Sequence, residues 1–272
     1  NKNIKDIIIL DRDNEKKNGI HDGFLGSIKL IKELKNHNFD KVFIFNSSLR
    51  FKLICQFAFI RSIHQYPLFK KKEQHLILAA QKFLNKELNI QVNSNPYILI
   101  NDKDAQYAKS KYNFSPEQKN ILLGIGGSGE TKRIPSKIFL KFMEYCTKEF
   151  DCKFFLATGG RTGEQKILNE ILNTKFKKNC IPLDKLEIDK TLPIIKNCDI
   201  SVCNDSSFSH LSAAIKIPTI VLMADTPILY GSYSPQMFPI IPDNVKTVGH
   251  NTLGKNNINP EKIFKKFKEI IY

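Results

Sequence analysis

Residues 198–211 read Cys-Asp-Ile-Ser-Val-Cys-Asn-Asp-Ser-Ser-Phe-Ser-His-Leu. The apolar run 200–203 predicts a buried strand, and the apolar spacing of 208–215 predicts a helix that begins after a polar turn. Such a junction leaves free backbone N–H groups and the positive end of a helix dipole at one place, where α/β proteins hold phosphates and other anions. The candidate ligand-binding residues of this junction are Asp205, Ser206, Ser207 and His210.

Strands and helices alternate along the rest of the chain, which predicts parallel sheets with right-handed crossovers. A polar stretch at 101–119 separates two such series and is typical of a linker. We therefore predict an α/β protein with two Rossmann-like domains, at 1–115 and 116–258, and a basic amphipathic helix within 259–272. The predicted strands are 7–10, 41–45, 97–100, 121–123, 153–157, 200–203 and 219–223, and the predicted helices are 26–36, 48–59, 73–84, 136–150, 163–172, 192–197, 208–215 and 260–271.

Composition narrows the class of protein. The chain has 272 residues, of which 42% are hydrophobic, and no run approaches the roughly 18 apolar residues of a membrane-spanning helix. Its six cysteines form no C-x-x-C pair and no Cys/His cluster at zinc spacing, which indicates reduced thiols in a cytoplasmic protein. The formal net charge of +15 is spread thinly, so it favours an anionic substrate or membrane surface over nucleic acid.

A glycine-rich loop opens the second series. Residues 124–129 read Gly-Ile-Gly-Gly-Ser-Gly, a G-x-G-x-x-G match directly after a predicted strand. The glycines do not open the next predicted helix, and the next strand ends without an acidic residue for a ribose, so a nicotinamide or flavin cofactor is disfavoured. A P-loop is excluded because Thr131 rather than Gly precedes Lys132. What remains is a loop whose N–H groups can approach a ligand, with a lysine suited to a diphosphate. Its polar candidates are Ser128, Thr131 and Lys132.

A third strand-to-helix loop spans 159–164 and ends at Glu164. In a doubly wound sheet such loops leave the same edge, so the three loops are predicted to line one pocket. Two acidic pairs, Asp11/Asp13 and Asp102/Asp104, have the D-x-D spacing of some sugar-transferase metal sites. Each pair follows a predicted strand end, and we interpret both as solvated turns, so no metal site is predicted.

Several stretches resemble one family. Residues 121–134 (ILLGIGGSGETKRI) are similar to the Gly/Ser loop and Thr-Lys-Arg of the bacterial heptosyltransferases, glycosyltransferase family 9. Residues 204–214 resemble its Asn-Asp-Thr-Gly-x-x-His-Leu-x-Ala-Ala signature, and the similarity continues through 216–231. In the first half, residues 39–50 are similar to its Tyr-Asp-x-Val and Gly-Ser-Leu-Arg segments. The resemblance covers most of the chain and is most specific in the second half.

The resemblance implies a GT-B fold, with the donor held mainly by the C-terminal domain and the acceptor by the N-terminal one. It implies an inverting, metal-independent transfer, without a cofactor, from a nucleotide-diphospho-sugar to a lipopolysaccharide-type glycolipid, and the donor expected is ADP-heptose. We expect a cytoplasmic monomer that meets the inner membrane peripherally. The basic C-terminal helix is expected to assist there and to pack back on the N-terminal domain.

The resemblance also implies donor-binding roles for residues on the three loops. Lys132 and the helix end at Ser207 would stabilise the departing diphosphate as its negative charge develops. The expected contacts are Ser128 and Lys132 at the diphosphate with Thr131 on the same loop, Ser206 and Ser207 through their backbone N–H groups, Asp205 and His210 by the sugar and phosphate, and Glu164 near the ribose.

Two departures from the family pattern leave an alternative open. The family's first strand, glycine-rich loop and acidic general base would precede Asn1, so the N-terminal domain is expected to be truncated and no catalytic base is named. Ser206-Ser207 stands where the family has Thr-Gly. The alternative is a non-catalytic or degenerate nucleotide-sugar-binding relative of the same fold.

Overall fold

A computed structural model describes the chain in two compact units. The described residues are 4–13, 18–66, 76–92, 95–127 and 129–272. Of these, unit 1 contains 4–66 and 78–92, and unit 2 contains 76–77 and 95–272. Each unit has its own parallel sheet.

Unit 1 is built around two parallel strands. Its elements in chain order are α1 (Gly23–Asn36), β1 (Lys41–Ile44), α2 (Leu49–Phe57), β2 (Ser62–Gln65) and α3 (Leu76–Leu88), whose first two residues are grouped with unit 2. A small core lies between α2 and the strands and includes Ile44, Cys55 and Ala58. The prediction of a strand at 7–10 is wrong, because residues 4–10 have no regular structure and pair with no strand of the described chain.

Unit 2 contains a six-stranded parallel sheet. Its elements are α4 (Asp102–Lys111), β3 (Lys119–Gly124), α5 (Ser136–Glu149), β4 (Cys152–Ala157), α6 (Thr162–Leu172), β5 (Cys180–Pro182), α7 (Ile188–Lys196), β6 (Ile200–Asn204), α8 (Ser207–Ala214), β7 (Thr219–Leu222), β8 (Met237–Ile240) and α9 (Pro260–Ile271). The strand order is β5-β4-β3-β6-β7-β8, so the chain moves outward from β3 and then restarts on its other side at β6. This order confirms the predicted α/β class and creates a topological switch point between β3 and β6.

The central strand shows why the sheet is so strongly apolar. Ile121 and Leu123 pack into the larger core on one face, whereas Leu122 packs into a second core on the other. A parallel strand with helices on both faces needs apolar residues at every position rather than at alternate ones. The register pairs Gly124 with Cys203, so β3 and β6 end side by side.

The boundary between the units differs from that expected at residue 115. Residues 97–100, predicted as a strand, form none, and the Ile98 N–H instead donates to the Ala214 carbonyl at 2.8 Å. In α4, the Ala105 carbonyl accepts a hydrogen bond from the Asn197 side chain at 2.9 Å. The polar surface of the segment suggested a linker, but its few apolar residues are used to pack on the second core of unit 2.

The C-terminal helix α9 packs on α5 within unit 2. Ile263 and Phe267 are fully buried, and the Phe267 ring meets Phe142 edge to face at 5.7 Å. Two of its cations form ion pairs with other elements of the same unit, Lys262 with Asp243 and Lys268 with Glu149. Its apolar face is therefore buried within unit 2, and the membrane contact expected from its basic residues stays a prediction.

Candidate functional site

The candidate site lies where β3 and β6 end. Three loops leave this edge of the sheet: the glycine loop (described at 125–127 and 129), the β4–α6 junction (158–161) and the β6–α8 junction (205–206). Asn204 joins two of them, because its side-chain amide donates to the carbonyls of Ile125 and Gly126 at 2.9 and 3.1 Å. The edge predicted from the sequence to form one pocket is thus the edge at the switch point, where ligands of doubly wound sheets bind.

A buried carboxylate lies at the centre of the site. Asp205 is only 7% exposed, and its Oδ2 accepts hydrogen bonds from Lys132 Nζ at 3.0 Å and from Thr226 Oγ1 at 2.5 Å. A carboxylate this deeply buried requires a counter-charge and hydrogen bonds. Lys132 supplies the charge while its side chain keeps partial contact with solvent, so its ammonium group can also reach an incoming anion.

His210 lies on the other side of the same carboxylate. Its Nε2 is 3.9 Å from Asp205 Oδ1, and its Nδ1 is 2.8 Å from the Tyr233 hydroxyl, with the two rings stacked. Burial lowers the pKa of His210; Asp205 opposes this shift and Lys132 adds to it. Burial also raises the pKa of Tyr233, so its hydroxyl remains a donor at neutral pH. If Tyr233 donates to Nδ1, the neutral imidazole carries its proton on Nε2, facing the site.

The N-terminus of α8 opens onto this cluster. Ser206 is the N-cap residue in an extended conformation, but its side chain makes no capping hydrogen bond. Its hydroxyl oxygen is buried and has no partner among the described residues, and the same holds for Thr158 at the end of β4. Uncapped N–H groups at a helix N-terminus, with unpartnered hydroxyls nearby, are the kind of groups that bind a phosphate oxygen.

Glu164 makes a structural contact that the sequence did not predict. It is buried in the first turn of α6, and its Oε1 accepts the Gly127 N–H at 2.7 Å. A Cβ atom at Gly126 or Gly159 would lie 2.7 Å from one of its carboxylate oxygens, so a larger residue at either position would displace the carboxylate. Glu164 therefore holds the glycine loop against the β4–α6 junction, and its expected place beside a ribose stays a prediction.

The remaining candidates lie around the turn that carries Lys132. Residues Glu130–Lys132 form one turn of 3-10 helix, and the Thr131 hydroxyl bonds to Asp225. Burial alone would raise the pKa of Asp225, but hydrogen bonds from the Leu253 N–H and Thr131 outweigh it and lower the pKa. Thr131 thus anchors the turn, and Ser128 lies outside the described residues.

Sequence reasoning did not assign roles to Thr226 and Tyr233. Each touches a predicted residue across a long stretch of chain, 21 residues in the first pair and 23 in the second. Asp225 and Thr226 belong to the segment 216–231 that resembles the family, and this resemblance was the one sequence feature that pointed to them.

No group of three or more His, Cys, Asp or Glu residues in the described ranges is placed to hold a metal ion. No described helix is long and apolar enough to cross a membrane.

Comparison with known proteins identifies the family that this chain matches. The family model described as "Glycosyltransferase family 9 (heptosyltransferase)" matches residues 63–268. The chain is 22% identical to lipopolysaccharide heptosyltransferase 1 of Campylobacter coli, over 90% of this chain and 80% of that protein. It is 27% identical to lipooligosaccharide heptosyltransferase 2 of Campylobacter jejuni, over 74% of this chain and 61% of that protein.

Solved structures with the same fold include two members of that family. The chain matches the structure of E. coli ADP-heptose lps heptosyltransferase II with a TM-score of 0.64 and 19% identity, covering 90% of this chain and 80% of that one. It matches a family 9 glycosyl transferase from Veillonella parvula with a TM-score of 0.69 and 18% identity, covering 92% and 80%.

Proposed function

The chain belongs to glycosyltransferase family 9, as its sequence resemblance predicted, and on this premise we propose that it transfers heptose from ADP-heptose to a lipopolysaccharide-type acceptor. The observation that carries the proposal is the cluster at the switch point of unit 2. There, a solvent-reachable ammonium group, a neutral imidazole and the uncapped N-terminus of α8 lie beside one buried carboxylate. This arrangement is suited to a ligand with two phosphates and a hydroxyl-rich group.

The reaction proposed is a single displacement with inversion. The acceptor hydroxyl oxygen forms a bond to the anomeric carbon, the bond from that carbon to the diphosphate breaks, and the hydroxyl proton passes to a base. The nucleoside diphosphate leaves with the bonding electron pair, and Lys132 together with the α8 N–H groups stabilises its growing charge. Since these groups provide positive charge themselves, the transfer is proposed to need no metal ion.

Names of related proteins support the choice of donor. The solved relatives include an E. coli heptosyltransferase with ADP, which has a TM-score of 0.63 to this chain at 14% identity. The curated relatives are named for lipopolysaccharide or lipooligosaccharide. We therefore propose ADP-heptose as donor and an anionic glycolipid as acceptor.

Calorimetric titration with ADP, ADP-heptose and UDP tests the donor site. We expect ADP-heptose and ADP to bind and UDP to bind more weakly. If none of the three binds at millimolar concentration, the donor site is wrong. Transfer is tested by ADP release from ADP-heptose with heptose-free lipopolysaccharide, with and without EDTA, and NMR of the product reports its anomeric configuration.

The alternative function is nucleotide-sugar binding without transfer. The replacement of the family's Thr-Gly by Ser206-Ser207, at the N-terminus of α8, is the observation that favours it. This alternative predicts normal ADP-heptose affinity together with no ADP release above the acceptor-free rate. Transfer at a measurable rate excludes it.

A further inference from the structure

Helix α2 of unit 1 is apolar on the face that points away from its core. Ile54, Cys55 and Ala58 on one side are buried against the strands. Leu49, Leu53 and Phe57 are 43%, 41% and 63% exposed. Their spacing of four residues places them in one row along the opposite side of the helix. A surface helix of a globular protein normally carries polar residues there, so the row needs an occupant.

Phe59, just beyond the helix, adds a second observation. It is 74% exposed and has a φ of 61°, a left-handed conformation that a bulky side chain rarely adopts. The turn is held by hydrogen bonds from the Phe59 N–H to the Gln56 carbonyl and from the Ile60 N–H to the Cys55 carbonyl. This strained backbone leaves the aromatic ring largely exposed to solvent, so burial of the ring does not offset the strain. Backbone strain of this kind is found at functional sites. We call Leu49, Leu53, Phe57 and Phe59 the α2 patch.

The charges around the α2 patch indicate what it meets. Residues 41–66 contain Lys41, Arg50, Lys52 and Arg61 and no Asp or Glu. Lys52 lies on one side of the apolar row, about 60° from Leu49 around the helix. The Lys35 ammonium lies 4.8 Å over the Phe59 ring. Apolar side chains with Lys35 and Lys52 beside them match an anionic lipid surface, which accepts both. A second copy of this chain would bring the same positive charge, and the whole chain carries +15.

We propose that the α2 patch docks the protein on an anionic bilayer, with α2 lying in the plane of the interface and its apolar row inserted below the headgroups. The apolar residues of the C-terminal helix, in contrast, pack on α5 and are not exposed. The docking concerns lipid alone and does not depend on sugar transfer, so the two proposals fail separately.

Vesicle flotation of the full chain tests the docking. The vesicles contain equal parts of phosphatidylglycerol and phosphatidylcholine, or phosphatidylcholine alone, at low and high salt. We expect the wild type to float with the anionic vesicles, less at high salt, and to float poorly with the neutral ones. The variant L53S/F57S should lose binding by at least about tenfold. Because these side chains are exposed, it should keep its melting temperature and its affinity for ADP, if the wild type binds ADP.

The matched control removes two exposed apolar side chains from unit 2. The variant L99S/I188S changes residues that are 84% and 56% exposed and should float as the wild type does. Three results would overturn the proposal: no flotation of the wild type, equal flotation of L53S/F57S and wild type, or equal binding to neutral and anionic vesicles. Mass photometry provides a fourth, because a dimer that L53S/F57S dissociates would identify a second copy as the occupant.

Discussion

At the carboxyl edge of the six-stranded sheet, the junction between β4 and α6 buries Glu164, and the junction between β6 and α8 buries Asp205. Glu164 lies in the first turn of α6, and Asp205 lies just before the N-terminus of α8. Glu164 accepts a backbone N–H from Gly127 at 2.7 Å. Among the described residues, Asp205 accepts its hydrogen bonds from two side chains, those of Lys132 and Thr226.

The difference lies in what the partners can do when a ligand arrives. The Gly127 N–H is fixed by the chain, so Glu164 makes a permanent strut between two loops. The Lys132 ammonium is at the end of a flexible side chain and has access to solvent, so it can share its hydrogen bonds with a phosphate. A carboxylate at the same edge is therefore a scaffold at one junction and part of the proposed binding site at the other.

The largest expected effect comes from removing the mobile partner. K132M takes away the cation beside the diphosphate, and we expect ADP affinity to fall about 100-fold, as for loss of a charge-assisted contact. K137M, which changes an exposed lysine of α5, serves as the matched control. Calorimetry measures both variants. An ADP affinity for K132M within a factor of three of the control would contradict a diphosphate role for Lys132.

Removing the Glu164 carboxylate tests whether it acts as a scaffold. E164A leaves the buried Gly127 N–H without an acceptor, so we expect the ligand-free protein to lose about 1–2 kcal/mol of unfolding free energy. E164Q keeps an oxygen at the same place and should recover part of that loss. Urea unfolding without nucleotide measures it. If E164A is as stable as the wild type and only ADP binding falls, Glu164 is a ligand contact rather than a strut.

The two carboxylates also show which features of the site could be predicted from the sequence and which could not. The alternation of strands and helices predicted the sheet of unit 2, and the polar residues after its strands predicted the edge at which the candidate site lies. Nothing near Glu164 in the sequence shows that Gly127, 37 residues earlier, donates to it. Apolar runs such as 7–10 were predicted as strands from their composition, but a strand also needs a neighbour with which to pair.

A smaller effect is expected from the residue that orients His210. Y233F removes the hydroxyl 2.8 Å from His210 Nδ1 and leaves the stacked ring. The imidazole then has no fixed tautomer, and we expect ADP affinity to fall about two- to fivefold. In nitrogen NMR of the wild type, His210 should show the proton on Nε2, and Y233F should show a mixture. An Nδ1-protonated imidazole in the wild type would reverse the assigned donor and acceptor.

The smallest effect concerns the pH dependence of stability. Burial lowers the pKa of His210 in the folded chain below its unfolded value of about 6.5. As the pH falls through 6.5, the unfolded state takes up a proton that the folded state refuses, so His210 makes the wild type progressively less stable until the folded pKa is reached. H210N removes this proton uptake, and its stability relative to the wild type should therefore rise between pH 7 and pH 5. Urea unfolding of both proteins across that range measures the difference.

A stability difference between H210N and the wild type that stays constant with pH would mean that the charge of Asp205, 3.9 Å away, offsets the effect of burial on the pKa of His210. His210 would then take up its proton as readily in the folded chain as in the unfolded one. The β6–α8 junction would gain a positive charge below about pH 6.5, whereas the contact between Glu164 and the Gly127 N–H contains no such group.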